Sequence, residues 1–278
     1  MDFNWWNSIV MGILTGAASV LPVSVEAHQR LLLKFLGFHE IPTLLGLAIH
    51  AGIFAALYLC CQNHILKMTR ASKLARIPKK KRKRPLDTRS LMDLSLWKTM
   101  LLPVILGLFL YEKATALVSN FILMATFLFV NGVLLYIPQF LPSSNKDSRS
   151  LSRVEGLLMG LGGALFVIPG LSGMGAALSV ASVSGVDRKY GLNMILLMNI
   201  GITAGRIVLD LMKLISGGLD IPSIGVLVFY LLAAVFSFAA TYLSVKILRN
   251  LAKENGFSVF AYYSWGLALF TFVLSLMA

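Results

Sequence analysis

The chain reads as an all-α polytopic membrane protein with six transmembrane helices and two re-entrant helical hairpins in an inverted-topology repeat. Three observations lead there. The composition is 57% hydrophobic and 13% charged, with a mean hydropathy of +0.79, whereas soluble domains carry about 25% charged residues. The apolar residues fall in runs long enough to span a bilayer, about 20 residues each. Finally, a Pro-centred stretch occurs twice, as Gly16-Ala17-Ala18-Ser19-Val20-Leu21-Pro22-Val23-Ser24 and as Gly163-Ala164-Leu165-Phe166-Val167-Ile168-Pro169-Gly170-Leu171-Ser172. Pro removes a backbone donor and interrupts a helix, and in lipid an interrupted helix persists only where it faces protein or a water-filled cavity. Two such interruptions in corresponding halves point to a binding site near the bilayer midplane.

In chain order, Trp5-Trp6 reads as an interfacial anchor, and the segment Met1-Asp2-Phe3-Asn4 ahead of it lacks the basic residues of a cleavable signal. Residues 5–36 hold the first motif and read as a hairpin that dips into the bilayer. Full spans follow at about 43–63, 98–111 and 117–138, the second of them short. A loop at 139–153, containing Pro142, Ser143, Ser144, Asn145 and Lys146, separates the halves. Residues 153–185 form the second hairpin, where Gly156, Gly160, Gly162 and Gly163 allow one arm to pack closely on a neighbour. The last spans lie at about 190–212, 223–247 and 257–277. The whole chain, 1–278, is thus one integral-membrane domain of two repeats, about 1–138 and 153–278.

The net charge of +13 is concentrated in a basic loop at about 64–97, which includes Lys79-Lys80-Lys81-Arg82-Lys83-Arg84. In a membrane protein such a run reads as a cytoplasmic loop that meets anionic lipid, not as a nucleic-acid site. Placing it inside also places Lys146, Arg149, Arg188, Lys189, Lys246 and Arg249 inside. Three crossings separate the two motifs, so the hairpins enter from opposite faces and their tips meet near the bilayer centre. Cys60 and Cys61 are helix neighbours that suit neither a disulfide nor a metal. The four His (28, 39, 50 and 64) lack metal-ligand spacing, and His50 reads as a hydrogen-bonded packing residue.

Gly12 through His28 resembles the first signature of the bacterial undecaprenyl-diphosphatases, the bacitracin-resistance family. That signature runs Gly-x-x-Glu-Gly-x-Thr-Glu-Phe-Leu-Pro-x-Ser-Ser-Thr-Gly-His. Pro169-Gly170-Leu171-Ser172-Gly173-Met174-Gly175 resembles the second, Pro-Gly-x-Ser-Arg-Ser-Gly. Asp187-Arg188-Lys189-Tyr190 and Leu209-Asp210-Leu211 also fall where the family has similar residues. The resemblance covers essentially the whole chain and implies the same membrane fold, a polyprenyl (pyro)phosphate ligand and a bacterial cytoplasmic membrane; it leaves a homodimer open. It also implies a site in which two carboxylates hold a divalent metal or activate the attack, Ser and His assist, and an Arg clamps phosphate. Here those carboxylates fall on Thr15 and Ser19, and the Arg falls on Gly173, while Ser24, His28 and Ser172 remain.

An arginine-type phosphate clamp is worth 10³–10⁵ in rate, and Thr and Ser are weak ligands beside Asp and Glu. The residue chemistry therefore favours a non-hydrolytic protein that binds or moves a lipid phosphate in recycling of a cell-envelope lipid carrier. Its pocket would use Ser24, Ser172, Gly170, Gly173, Gly175, Thr15, Ser19 and Arg206, with no cofactor. The alternative is a phosphatase in which Glu26, His28 and Arg206 have taken over the chemistry, with Mg²⁺ or Ca²⁺ entering only in that case. Two ion pairs are expected at i,i+4 spacing, Glu26 with Arg30 and Arg206 with Asp210.

Overall fold

The computed structural model describes residues 4–117, 120–142, 145–217, 222–254 and 257–277. Met1–Phe3, and Ser143 and Ser144 of the interhalf loop, lie outside them. The first hairpin is α1 (Trp5–Ala18) and α2 (Val25–Leu36). Asn4 caps α1 by accepting from the Asn7 amide, Ser24 caps α2 by accepting from the Ala27 amide, and Gly37 at φ 74° closes it. Three long helices follow: α3 (Thr43–Ala75), α4 (Thr88–Leu117) and α5 (Phe121–Tyr136), the last running into a 3₁₀ turn at Ile137–Phe140. The second hairpin is α6 (Arg153–Ala164) and α7 (Gly173–Val183). Its first arm opens with a reciprocal capping box between Ser152 and Glu155, and Ser172 caps the second. The long helices α8 (Arg188–Ser216), α9 (Ile224–Glu254) and α10 (Ser258–Leu276) complete the chain. Among the described residues six helices are long and apolar enough to cross a membrane. The protein is an all-α, multi-pass membrane protein.

Two of the expected boundaries are corrected. The short second span is a 30-residue helix, and the basic loop shrinks to residues 76–87, with a one-turn 3₁₀ segment at Lys79–Lys81. Charged residues ended the hydropathy reading but do not end a helix. Lys and Arg are good helix formers, and Asp93 inside α4 is satisfied by His64 Nε2 (3.0 Å) and the Tyr190 hydroxyl (2.8 Å).

The two five-helix runs interlock. α1 packs on α9 while α6 packs on α4; α3 packs on α9 while α8 packs on α4; α3 meets α8, and α5 meets α10. Exchanging the runs maps each contact onto another. Small residues set the close approaches. A Cβ at Gly16 would lie 2.5 Å from the Ser237 carbonyl of α9, and one at Gly160 would lie 2.3 Å from the Met100 carbonyl of α4. Gly12 and Gly16 on α1, and Gly156 and Gly160 on α6, are Gly-x-x-x-Gly pairs; Gly12, Gly16 and Gly160 admit a neighbouring backbone, and Gly156 admits the Leu96 side chain.

The hairpin tips touch at the centre. The Gly170 amide donates to Ser24 Oγ (2.9 Å). Buried Asn131 of α5 accepts from the Ser172 amide (2.9 Å) and donates to the Pro22 carbonyl (3.4 Å) and to Ser264 Oγ (3.0 Å). One side chain thus satisfies backbone groups that both broken helices leave open.

Candidate functional site

Beside the tip contact lies a chamber of about 60 Å³, room for roughly four or five waters. Its polar lining comes from both halves: Thr15 and Ser19 of the first hairpin, Glu26 of α2, His50 of α3, Ser172 before α7, and Asn199, Thr203 and Arg206 of α8. Val23, Ile53, Phe166, Leu171 and Met174 supply apolar walls. Glu26, His50 and Arg206 also line an adjoining vestibule of about 400 Å³, with Arg30, Tyr111, Asp210 and Lys213. The vestibule lies toward the end of the bundle where α4 and α8 finish, opposite the basic connection between α3 and α4.

The helix starts explain part of its chemistry. Val25 and Glu26 open α2, while Gly173 and Met174 open α7, and all four line the chamber. The N-terminus of a helix carries partial positive charge and unsatisfied amides, so two of them aimed at one space favour an anion. Arg206 adds a full charge. Its guanidinium sits 3.8 Å over the Tyr111 ring, and Nη1 lies 3.4 Å from Glu26 Oε1, which also accepts a hydrogen bond from the Tyr111 hydroxyl. The Glu26 and Arg206 side chains are only 12% and 15% exposed, so their attraction is little screened.

Both i,i+4 expectations are corrected. Asp210 accepts from His50 Nδ1 (2.6 Å), across from α8 to α3, and Arg206 turns instead to Glu26 and Tyr111. Arg30 donates to the Thr115 carbonyl of α4 (2.7 Å). A pair along one exposed helix gains a few tenths of a kcal/mol. Buried charges gain more from partners on facing helices, and those partners satisfy them. His50 packs through a hydrogen bond, as expected, and it also lines the chamber. With its Nδ1–H given to Asp210, the imidazole keeps Nε2 as an acceptor.

The other sequence candidates divide into two groups. Thr15, Ser19, Ser172 and Gly173 line the chamber; Thr15 Oγ1 accepts from Gln29 (3.0 Å), and the Ser19 carbonyl accepts from Asn199 (2.7 Å). Ser24, Gly170 and Gly175 lie at the tip contact instead. Ser24 Oγ is engaged by the Ala27 and Gly170 amides, and a Cβ at Gly175 would meet Leu135 and Pro22. His28 points elsewhere. Its Nδ1 donates to the Ser24 carbonyl and its Nε2 accepts from the Tyr263 hydroxyl of α10, both at 2.6 Å. Glu26 and His28, two residues apart on a helix, point about 200° apart, so α2 shows them to different neighbours.

Tyr111, Asn199 and Thr203 were missed. The signal for the last two was present: Asn199, Thr203, Arg206 and Asp210 follow i, i+4, i+7, i+11 and form one polar stripe on an otherwise apolar helix. Nothing in the sequence singles out Tyr111.

A divalent cation fits this donor set poorly. Such ions take several oxygen ligands, usually including carboxylates. Glu26 Oε1 is already shared by a hydroxyl and a guanidinium, and Asp210 is held by His50. Among the described residues no three His, Cys, Asp or Glu side chains cluster for metal binding.

A sequence model of the bacitracin resistance protein BacA family matches residues 8–270. Among curated relatives, an undecaprenyl-diphosphatase of Methanobrevibacter smithii is 29% identical over 276 residues, covering 97% of each chain. Undecaprenyl-diphosphatases of Halothermothrix orenii and a Nocardioides species are 23% and 27% identical, over 96% of this chain and 96% and 95% of theirs.

Proposed function

Because the chain belongs to the BacA bacitracin-resistance family, we propose that it hydrolyses a polyprenyl diphosphate of the undecaprenyl type, with Arg206 and Glu26 as the reacting site's charged pair. The observation that carries this is their meeting in one chamber, under the N-termini of α2 and α7. Loss of the signature arginine and carboxylates argued for a protein that binds without cutting. Here a guanidinium from α8 and a carboxylate from α2 supply both charges from other positions.

The prenyl chain lies among lipid-facing helices, and the diphosphate enters from the vestibule. Arg206 and the first amides of α7 take the non-bridging oxygens, where charge builds during phosphoryl transfer. Glu26 accepts a proton from a water that attacks the terminal phosphorus. The bond from that phosphorus to the bridging oxygen breaks, releasing inorganic phosphate and prenyl monophosphate. Tyr111 positions both charged groups, its ring under the guanidinium and its hydroxyl on the carboxylate. No step is routed through a metal.

The positive-inside rule puts the α3–α4 connection in the cytoplasm against anionic lipid, and the vestibule then opens outward. The two five-helix runs act as an inverted repeat around the chamber, within a bacterial-type cytoplasmic membrane.

The test is phosphate release from long-chain prenyl diphosphate by the purified chain, with EDTA and with Mg²⁺. Release is expected to persist in EDTA and to fall by about 10²–10⁴ in Glu26→Gln and 10³ or more in Arg206→Gln, with prenyl diphosphate still bound by Glu26→Gln. Unchanged turnover in either variant overturns the assignment. Saturable binding without turnover in the unaltered chain restores the non-hydrolytic reading, which Thr15, Ser19 and Gly173 favour.

A further inference from the structure

α3 and α4 are consecutive, yet they diverge and leave a groove of about 480 Å³ closed behind by α8. It lies toward the basic end of the bundle, away from the vestibule. Its floor is apolar, formed by Phe54, Tyr58, Leu94, Trp97 and Leu197. Trp97 gives its indole N–H to the Leu197 carbonyl (2.9 Å), so what it offers the groove is ring surface. Toward the connection α3 brings Thr69, Ser72, Lys73 and Arg76 to the lining, and the exposed Lys98 of α4 stands next to Trp97. Among the described residues that line it there is no carboxylate.

All three helices are membrane-crossing by length and composition, so an occupant must be apolar along the floor and anionic at the rim. Bilayer lipid meets both conditions. A zwitterionic head brings no net charge to the three cations, whereas a phosphodiester head without its own cation compensates one of them and keeps its phosphate oxygens free for all three; basic pockets between helices on the cytoplasmic side are known to take such heads. We propose that this groove seats one anionic phospholipid, its phosphate among Lys73, Arg76 and Lys98 and a chain along Trp97. The seat is separate from the exposed lysines Lys79, Lys80 and Lys81 and from the chamber.

The experiment uses the full chain equilibrated with equal phosphatidylglycerol and phosphatidylcholine, then counts retained lipid by native mass spectrometry. Phosphatidylglycerol is expected at about tenfold excess or more, from several-fold per cation. The preference should collapse toward one in Lys73→Gln/Arg76→Gln/Lys98→Gln and survive in Lys79→Gln/Lys80→Gln/Lys81→Gln. A preference kept by the first variant, or lost in the second, overturns the seat. Quenching by brominated chains gives a second readout: brominated phosphatidylglycerol should quench Trp97 more than brominated phosphatidylcholine, with Trp97→Phe as the blank, and equal quenching overturns the proposal. Displacement of the phospholipid by equimolar prenyl monophosphate would make the carrier lipid the occupant and overturn the phospholipid. Displacement by inorganic phosphate would overturn a lipid seat altogether. Lipid retention is read without phosphate release, so this outcome is independent of Glu26 and Arg206 chemistry.

Discussion

Arg206 shows how one side chain carries several loads. It faces a carboxylate, lies on an aromatic ring and borders both the chamber and the vestibule. Lys keeps the charge but not the planar fork or the stacking surface, so Arg206→Lys is expected to recover less than a tenth of the activity that Arg206→Gln loses, measured as phosphate release. Tyr111→Phe keeps the ring and removes the hydroxyl from Glu26. A hydrogen bond to a charged group is worth about 1.5–3 kcal/mol, which sets an expected loss of about tenfold to a hundredfold in kcat with KM little changed. An equal loss in KM would instead make Tyr111 a binding residue. Glu26 and Arg206 stand out in the sequence by their depth in apolar segments, but their partners, Tyr111 and each other, do not. His28 is the converse: its place in the motif suggested the site, while its two-residue offset from Glu26 already turned it away.

Among the elements, the paired hairpins were legible because Pro, Gly and Ser interrupt apolar runs at matching places. What holds them together was not. Asn131 sits in a span that reads as uniformly apolar, and its role depends on the distance between two tips remote in the chain. Asn131→Leu fills the same space but leaves the Ser172 amide and Pro22 carbonyl without a partner, each costing about 1–3 kcal/mol when buried. The expected result is a Tm lowered by several degrees in detergent; an unchanged Tm would mean water replaces the side chain. Gly170 at φ +106°, where a Cβ would lie 2.6 Å from the Met124 carbonyl, should tolerate Ala no better. The second hairpin also has a pH signature at its entrance. Lys146 and the Ser152 amide hold the Glu155 carboxyl down at about 2. A carboxyl with a depressed folded pKa stabilises fully above its unfolded value near 4.5 and loses that contribution as pH falls through about 2. Glu155→Gln should therefore lower Tm at pH 7 and converge with the unaltered chain toward pH 2, checked by thermal unfolding across that range.

For the molecule as a whole, the positive-inside argument places Glu40 and Lys83, both exposed, on opposite sides of the membrane. In a chain with Cys60 and Cys61 replaced by Ala, Glu40→Cys should react with an impermeant maleimide added outside intact cells. Lys83→Cys should react only after lysis. The reverse pattern would invert the orientation and turn the vestibule toward the cytoplasm.

Membrane class, span count and the two interruptions were settled by hydropathy and by Pro and Gly, because these act locally and each run of residues responds to lipid without reference to the others. Which carboxylate meets which guanidinium was settled where side chains of α2, α4 and α8 reach one another in the chamber and vestibule. That proximity depends on how helices distant in the chain are folded together, and a linear pattern carries no record of it.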